Sequence, residues 1–151
     1  MTTPSFHIRA HDPASDPTCL SALWYAASLQ AHAFLGQEKL LEHKTLIETR
    51  YLPMAETWVA EAPDGTPLGF ISLLEGYIGG LFVAPEAQGQ GIGRALLDLA
   101  RRQRSALELE VYVENERALQ VYLAYGFREI SRREVDDEGL PHANIHLRLG
   151  A

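Results

Sequence analysis

Leu81-Phe82-Val83-Ala84-Pro85-Glu86-Ala87-Gln88-Gly89-Gln90-Gly91-Ile92-Gly93-Arg94-Ala95-Leu96-Leu97 is the stretch on which the reading of this chain turns. It begins as a strand, and a glycine-rich loop runs from Pro85 to Gly93. Ile92, Leu96, Leu97, Leu99 and Ala100 then carry a helix. Such a strand–loop–helix unit lets backbone N–H groups converge on an anion, and the helix N-terminus adds positive partial charge. The loop therefore calls for a phosphate or pyrophosphate. A Walker A loop is excluded, because it needs Gly-Lys followed by Ser or Thr and this loop has no lysine. The dinucleotide fingerprint is excluded as well. Gly89 and Gly91 open its G-x-G-x-x-G spacing, but Arg94 stands where the third glycine belongs, and the loop lies past the middle of the chain.

Upstream of this unit, Phe6-His7-Ile8-Arg9 reads as a short strand. Leu20, Leu23, Trp24, Ala27, Ala31 and Phe34 recur at helical spacing and predict one long amphipathic helix broken by Gly36. Leu40, Leu41, Ile47 and Tyr51 predict a second, closed by Pro53. Thr57-Trp58-Val59-Ala60 is strand-like, Pro63-Asp64-Gly65-Thr66 is a hairpin turn, and Leu68 to Leu74 is the return strand. Tyr77 to Val83 forms a third strand, in which Gly79-Gly80 predicts a bulge or a close backbone approach. Downstream, Leu107, Leu109, Val111 and Val113 alternate with Glu108, Glu110 and Tyr112 as a strand. Ala118, Val121, Tyr122 and Tyr125 form a helix face closed by Gly126. Phe127 to Val135 and Ile145 to Leu149 read as two last strands, joined by the turn Asp136-Asp137-Glu138-Gly139. A hairpin meander combined with strand–helix–strand crossovers implies an α/β (α+β) fold, a mixed sheet with helices on its faces.

The bulk properties set the class. A chain of 151 residues, 46% hydrophobic and 22% charged, suits one domain, 1–151, with a single core. A net charge of −7 argues against nucleic acid as a partner, since phosphate backbones require clustered Lys and Arg. The one cysteine, Cys19, forms neither an internal disulfide nor a Cys-rich metal site. Met1-Thr2-Thr3-Pro4-Ser5 lacks the pattern of a signal peptide, and no apolar run reaches the roughly 18 residues of a membrane span. The expectation is a cytoplasmic protein with no membrane partner. His142 and His146 lie four apart without further ligands, so no metal is expected.

Gln88, Gly91 and Gly93 fill the pattern Q/R-x-x-G-x-G/A, with a strand and Pro85 before it. This resembles the acetyl-coenzyme A signature of the GCN5-related N-acetyltransferase (GNAT) superfamily. A second segment, Val113-Glu114-Asn115-Glu116-Arg117-Ala118-Leu119-Gln120-Val121-Tyr122-Leu123-Ala124-Tyr125-Gly126-Phe127, resembles that family's later motif. Trp24, Ser28, His32-Ala33-Phe34-Leu35 and the run from Glu134 to Pro141 are similar to the small bacterial acetyltransferases of the YjaB type. The resemblance implies the GNAT fold, a mostly antiparallel sheet of about seven strands with four helices. It implies an enzyme that moves the acetyl group of acetyl-coenzyme A, its co-substrate, onto a primary amine by direct attack.

The roles implied follow the same motifs. Phe82 and Val83 are to meet the pantetheine and thioester through main chain. Gln88, Gly89, Gln90, Gly91, Ile92, Gly93 and Arg94 are to hold the pyrophosphate, and Asn115 the pantetheine arm. Tyr122 is to protonate the leaving thiolate. The base that frees the amine is sought among His32, Glu75, Tyr77, Glu110 and Tyr112, with His32 and Glu110 preferred. The acceptor, a small-molecule or peptide amine, is not legible, and both monomer and homodimer fit. Two alternatives stand beside this reading: a sensor that binds acetyl-coenzyme A or an acyl-coenzyme A without transfer, and a domain whose loop holds some other nucleotide.

Overall fold

The structure, a computed structural model, describes residues 6–136 and 138–150; residues 1–5, Asp137 and Ala151 lie outside it, and with them the leader reading and part of the last turn. The elements run β1 (His7–Ala10), α1 (Pro17–Ala31), α2 (Gln37–Leu46), β2 (Glu56–Glu61), β3 (Pro67–Leu74), β4 (Tyr77–Val83), α3 (Ile92–Gln103), β5 (Ala106–Tyr112), α4 (Glu116–Tyr125), β6 (Arg128–Arg133) and β7 (Asn144–Gly150). They build a seven-stranded sheet in the order β1-β2-β3-β4-β5-β7-β6. Every neighbouring pair is antiparallel except β4 and β5.

Both early helices differ in detail from their expected form. α1 stops at Ala31, and a 3-10 turn, Ala33–Leu35, carries the chain to Gly36. After α2 the helix widens into a π turn, Ile47–Tyr51, and runs on through Pro53 to Met54. There the N–H of Leu52 reaches back to the Ile47 carbonyl, so the donor that Pro53 lacks falls just past the wide turn and does not end the helix.

β3 explains how the layers stack. Gly69, Phe70, Ile71, Ser72 and Leu73 are buried in succession, which a strand shows only when both of its faces are covered. On one side, Trp24 of α1 meets the Phe82 ring edge-on at 6.1 Å. On the other, Ile92, Leu96, Leu97 and Ala100 of α3 form a fully buried stripe. A Cβ on Gly69 would lie 2.9 Å from the Phe82 carbonyl oxygen and 3.0 Å from Cγ2 of Ile92. Gly69→Ala is therefore expected to lower stability by about 1–3 kcal/mol in urea denaturation, because the added carbon pushes the first residue of α3 off the sheet.

The Gly79-Gly80 pair is the predicted irregularity. Ser72 pairs with Gly80 but Leu73 with Ile78, so Gly79 is the extra residue of a bulge in β4.

Candidate active site

β4 and β5 run parallel yet pair at a single position, Tyr77 with Glu108, next to one bond from the Glu108 N–H to the Gly76 carbonyl (2.9 Å). Beyond it they diverge, and a cleft of about 820 Å³ opens between them. The edges of both strands in this gap carry peptide groups with no sheet partner across it. The Ala84 N–H bonds to the Leu68 carbonyl at 2.8 Å, and the alternation of an antiparallel ladder then turns the Phe82 peptide groups toward β3 and those of Leu81 and Val83 toward the cleft. The Val83 carbonyl is met from that side by Gln88 Nε2 at 3.3 Å.

The glycine loop forms one wall. Gly89 and Gly91 have φ of 82° and 85°, with open space around both, so backbone conformation and not crowding selects glycine there. Gly91 is the N-cap of α3 and no side chain caps that end. The first N–H groups of α3 are thus left to the cleft, where Ile92, Gly93 and Arg94 line it. Gly91→Ala, which forces a left-handed residue at about 1–2 kcal/mol, is expected to weaken acetyl-coenzyme A binding by about tenfold in calorimetric titration.

Arg94 lines the cleft with its guanidinium 5.6 Å from the centre of the Tyr125 ring. Gln88 joins three elements. Its Nε2 donates to Gln30 Oε1 at 3.0 Å, and its Oε1 accepts from Arg117 Nη1 at 3.3 Å. Arg94 and Arg117 both sit in the first turn of a helix, where the dipole disfavours a cation. That misplacement is the signal in the sequence that would have singled out Arg117; Gln30 has none.

The other wall comes from α4, β5 and the C-terminal half of α1. Asn115 caps α4, its Oδ1 accepting from the Ala118 N–H at 3.4 Å, and its Nδ2 lies 3.2 Å from His32 Nε2. Tyr122 packs edge-on against Phe127 at 5.6 Å, and among the described residues its hydroxyl has no hydrogen-bond partner. Burial pushes this phenol up to about 12, so it keeps its proton at neutral pH. Burial, aided by the nearby His43, pulls His32 down to about 4 and leaves it neutral. Glu110 gives Oε2 to Arg133, 2.6 Å from Nη2, while Oε1 has no protein partner among the described residues.

The sites chosen from sequence thus converge. His32, Tyr77, Phe82, Val83, Gln88, Gly89, Gly91, Ile92, Gly93, Arg94, Glu110, Tyr112, Asn115 and Tyr122 all line the cleft. Gln90 is exposed outside its lining, and Glu75 occupies the β3–β4 turn beside Met54 and Arg104. Asp136, read from sequence only as a turn residue, also lines the cleft. Among the described residues no group of three or more His, Cys, Asp or Glu is placed to hold a metal ion.

Residues 53–129 match the acetyltransferase (GNAT) domain. YiaC of Escherichia coli K12, a peptidyl-lysine N-acetyltransferase, is 34% identical over 128 residues, 84% of this chain and 87% of its own length. The chain belongs to the GNAT family. A second GNAT relative, the peptidyl-lysine N-acetyltransferase YjaB of Escherichia coli, is 34% identical over 128 residues. The solution structure of apo YjaB superposes with a TM-score of 0.85 at 33% identity, covering 97% of this chain and 99% of that one. The structure of YncA from Salmonella typhimurium with acetyl-coenzyme A, 21% identical, covers 97% of this chain and 94% of that one with a TM-score of 0.69 and shares the fold. The protein is an acetyl-coenzyme A-dependent N-acetyltransferase, which sets aside the sensor and nucleotide readings. No helix among the described residues is long and apolar enough to cross a membrane.

Proposed function

We propose that this GNAT enzyme, as a single domain in the cytoplasm, acetylates the side-chain amine of lysine in peptides or proteins. The observation that carries this reading is the division of charge in the cleft. Arg94 and Arg117 stand at the glycine-loop wall, whereas Glu110, Glu114, Asp136 and Glu138 line the wall of β5 and the β6–β7 loop. The first pair suits the phosphates of the coenzyme, and the second set suits a cationic acceptor. The names of YiaC and YjaB point the same way.

In this reading the uncapped end of α3 and the N–H groups of the glycine loop bind the pyrophosphate, and Asn115 faces the pantetheine arm. The bound co-substrate supplies the thioester that the amine attacks. The N–H groups of Val83 and Leu81, aimed into the gap, polarise its carbonyl. Phe82 takes part through its ring against Trp24, which backs the cleft, while its own peptide faces β3. The amine's proton passes to Glu110 at its open oxygen Oε1, directly or through water. His32, neutral and held at about 4, is too weak a base for this step and instead fixes Asn115. Tyr122 gives its proton to the departing sulfur.

The test is thiol release from acetyl-coenzyme A against lysine peptides, N-terminal amines, polyamines and aminoglycosides. Preference for the lysine side chain supports the reading. Faster turnover of a polyamine or an aminoglycoside replaces it.

A further inference from the structure

The carboxylates of the acidic wall are not equivalent. Glu110 pairs with Arg133 at 2.6 Å, Glu138 with Lys39 at 3.0 Å and His43 at 3.3 Å, and Glu114 with His142 at 2.8 Å. Glu116 lies in the first turn of α4, where the helix dipole accounts for an acid. Asp136 is different. It is only 5% exposed, and among the described residues its hydrogen-bond partners are all neutral; the imidazole of His142, itself paired with Glu114, acts on it only through space. Oδ1 accepts the N–H groups of Glu138 and Leu140, both at 2.9 Å, and Oδ2 accepts the Tyr112 hydroxyl at 3.3 Å.

A turn of this kind needs an oxygen acceptor, which Asn or Ser also provides. It does not need a charge. Burying a carboxylate is costly; hydrogen bonds offset that cost here and leave the negative charge uncancelled, ready for a cation. Burial pushes Asp136 up, but the two N–H groups and the phenol, with a smaller contribution from the nearby His142, outweigh it and hold the carboxyl below its usual range. The side chain is therefore a fixed negative charge on the cleft surface. Tyr112 beside it is held edge-on by Phe34 at 5.2 Å and by His32 at 5.3 Å, which sets an aromatic ring next to that charge. An aromatic wall for an alkyl stem and a carboxylate for its ammonium are the two halves of a lysine-binding site.

We propose that Asp136 is the specificity-determining residue that receives the ammonium group of the incoming lysine, with the Tyr112 ring alongside its aliphatic stem. This rests on the lysine reading above. Asp136 binds the cation and does not take its proton.

The experiment compares two acceptors, Nα-acetyl-lysine amide and its analogue with a side-chain aminooxy group, which is uncharged at neutral pH. Asp136→Asn keeps an oxygen for the turn and removes the charge. It is expected to raise KM for the lysine compound by about ten- to a hundredfold, the worth of a hydrogen bond to a charged group, with kcat little changed. KM for the aminooxy compound and for acetyl-coenzyme A stays the same. In the wild-type enzyme, which makes the test independent of how the variant folds, pentylammonium competes with the lysine compound and pentanol does not. A parallel rise of both acceptor KM values, no rise in either, or equal competition by pentanol overturns the role of Asp136 alone. A wild-type enzyme that acetylates neither compound overturns the lysine reading and this role with it.

Discussion

Tyr122→Phe is expected to lower kcat by about 100- to 10,000-fold and to leave the Kd for acetyl-coenzyme A nearly unchanged. The ring sits on the apolar side of α4 against Phe127, and phenylalanine fills the same space. Only the hydroxyl is lost. That hydroxyl is raised to about 12 by burial, so at neutral pH it is a full proton donor. A free thiol titrates near ~8.5, which makes transfer to sulfur uphill in water. The same burial that raises the phenol raises a thiolate forming beside it, and so restores the match as the C–S bond breaks. The effect amounts to about 3–5 kcal/mol of barrier. Single-turnover thiol release measures it without interference from product dissociation, and an unchanged rate would remove Tyr122 from the chemistry.

The second large effect is a loss of stability in acid that runs through His32. Its folded-state value of about 4 lies below the ordinary 6.5. Between these two values the unfolded chain binds a proton that the folded chain does not. Stability is therefore highest above pH 6.5 and falls as the pH drops toward 4. The shift corresponds to about 3 kcal/mol across that window. Protonation also ends the ability of His32 Nε2 to accept from Asn115, which ties α1 to the cap of α4. His32→Gln removes the titration. Urea denaturation from pH 7 to pH 4 should show wild type losing about 3 kcal/mol more than the variant, and parallel curves would show that His32 titrates normally.

Local features explain what could be read in advance. β4 has the bounds its residues predict, and the bulge falls at Gly79, because strand pattern and glycine pairs are short-range signals. The glycine loop was legible for the same reason, its positive φ values leaving few other residues possible. The parting of β4 and β5 leaves no mark on the residues of either strand, since it depends on what packs between them, and only the family resemblance implies it. Glu75 shows the limit of counting along a strand. It sits in the tight β3–β4 turn with φ of 56°, its carbonyl accepts from the Arg104 Nε, and it lies outside the lining of the cleft. Asp136 looked like an ordinary turn former, and only the approach of Tyr112 from a distant strand gives it a second meaning. Pro53 misled in the opposite sense, because a π turn just before it absorbs the missing donor.

The claim on which the rest depends is that acetyl-coenzyme A lies in the gap between β4 and β5 with its phosphates at the start of α3. Amide hydrogen exchange with and without acetyl-coenzyme A tests it most directly, since the groups in question are backbone N–H. Protection at Leu81 and Val83 and across residues 89–94, with none at the β1–β2 edge, is the predicted result. Exchange at those amides that is unchanged by saturating acetyl-coenzyme A would contradict it.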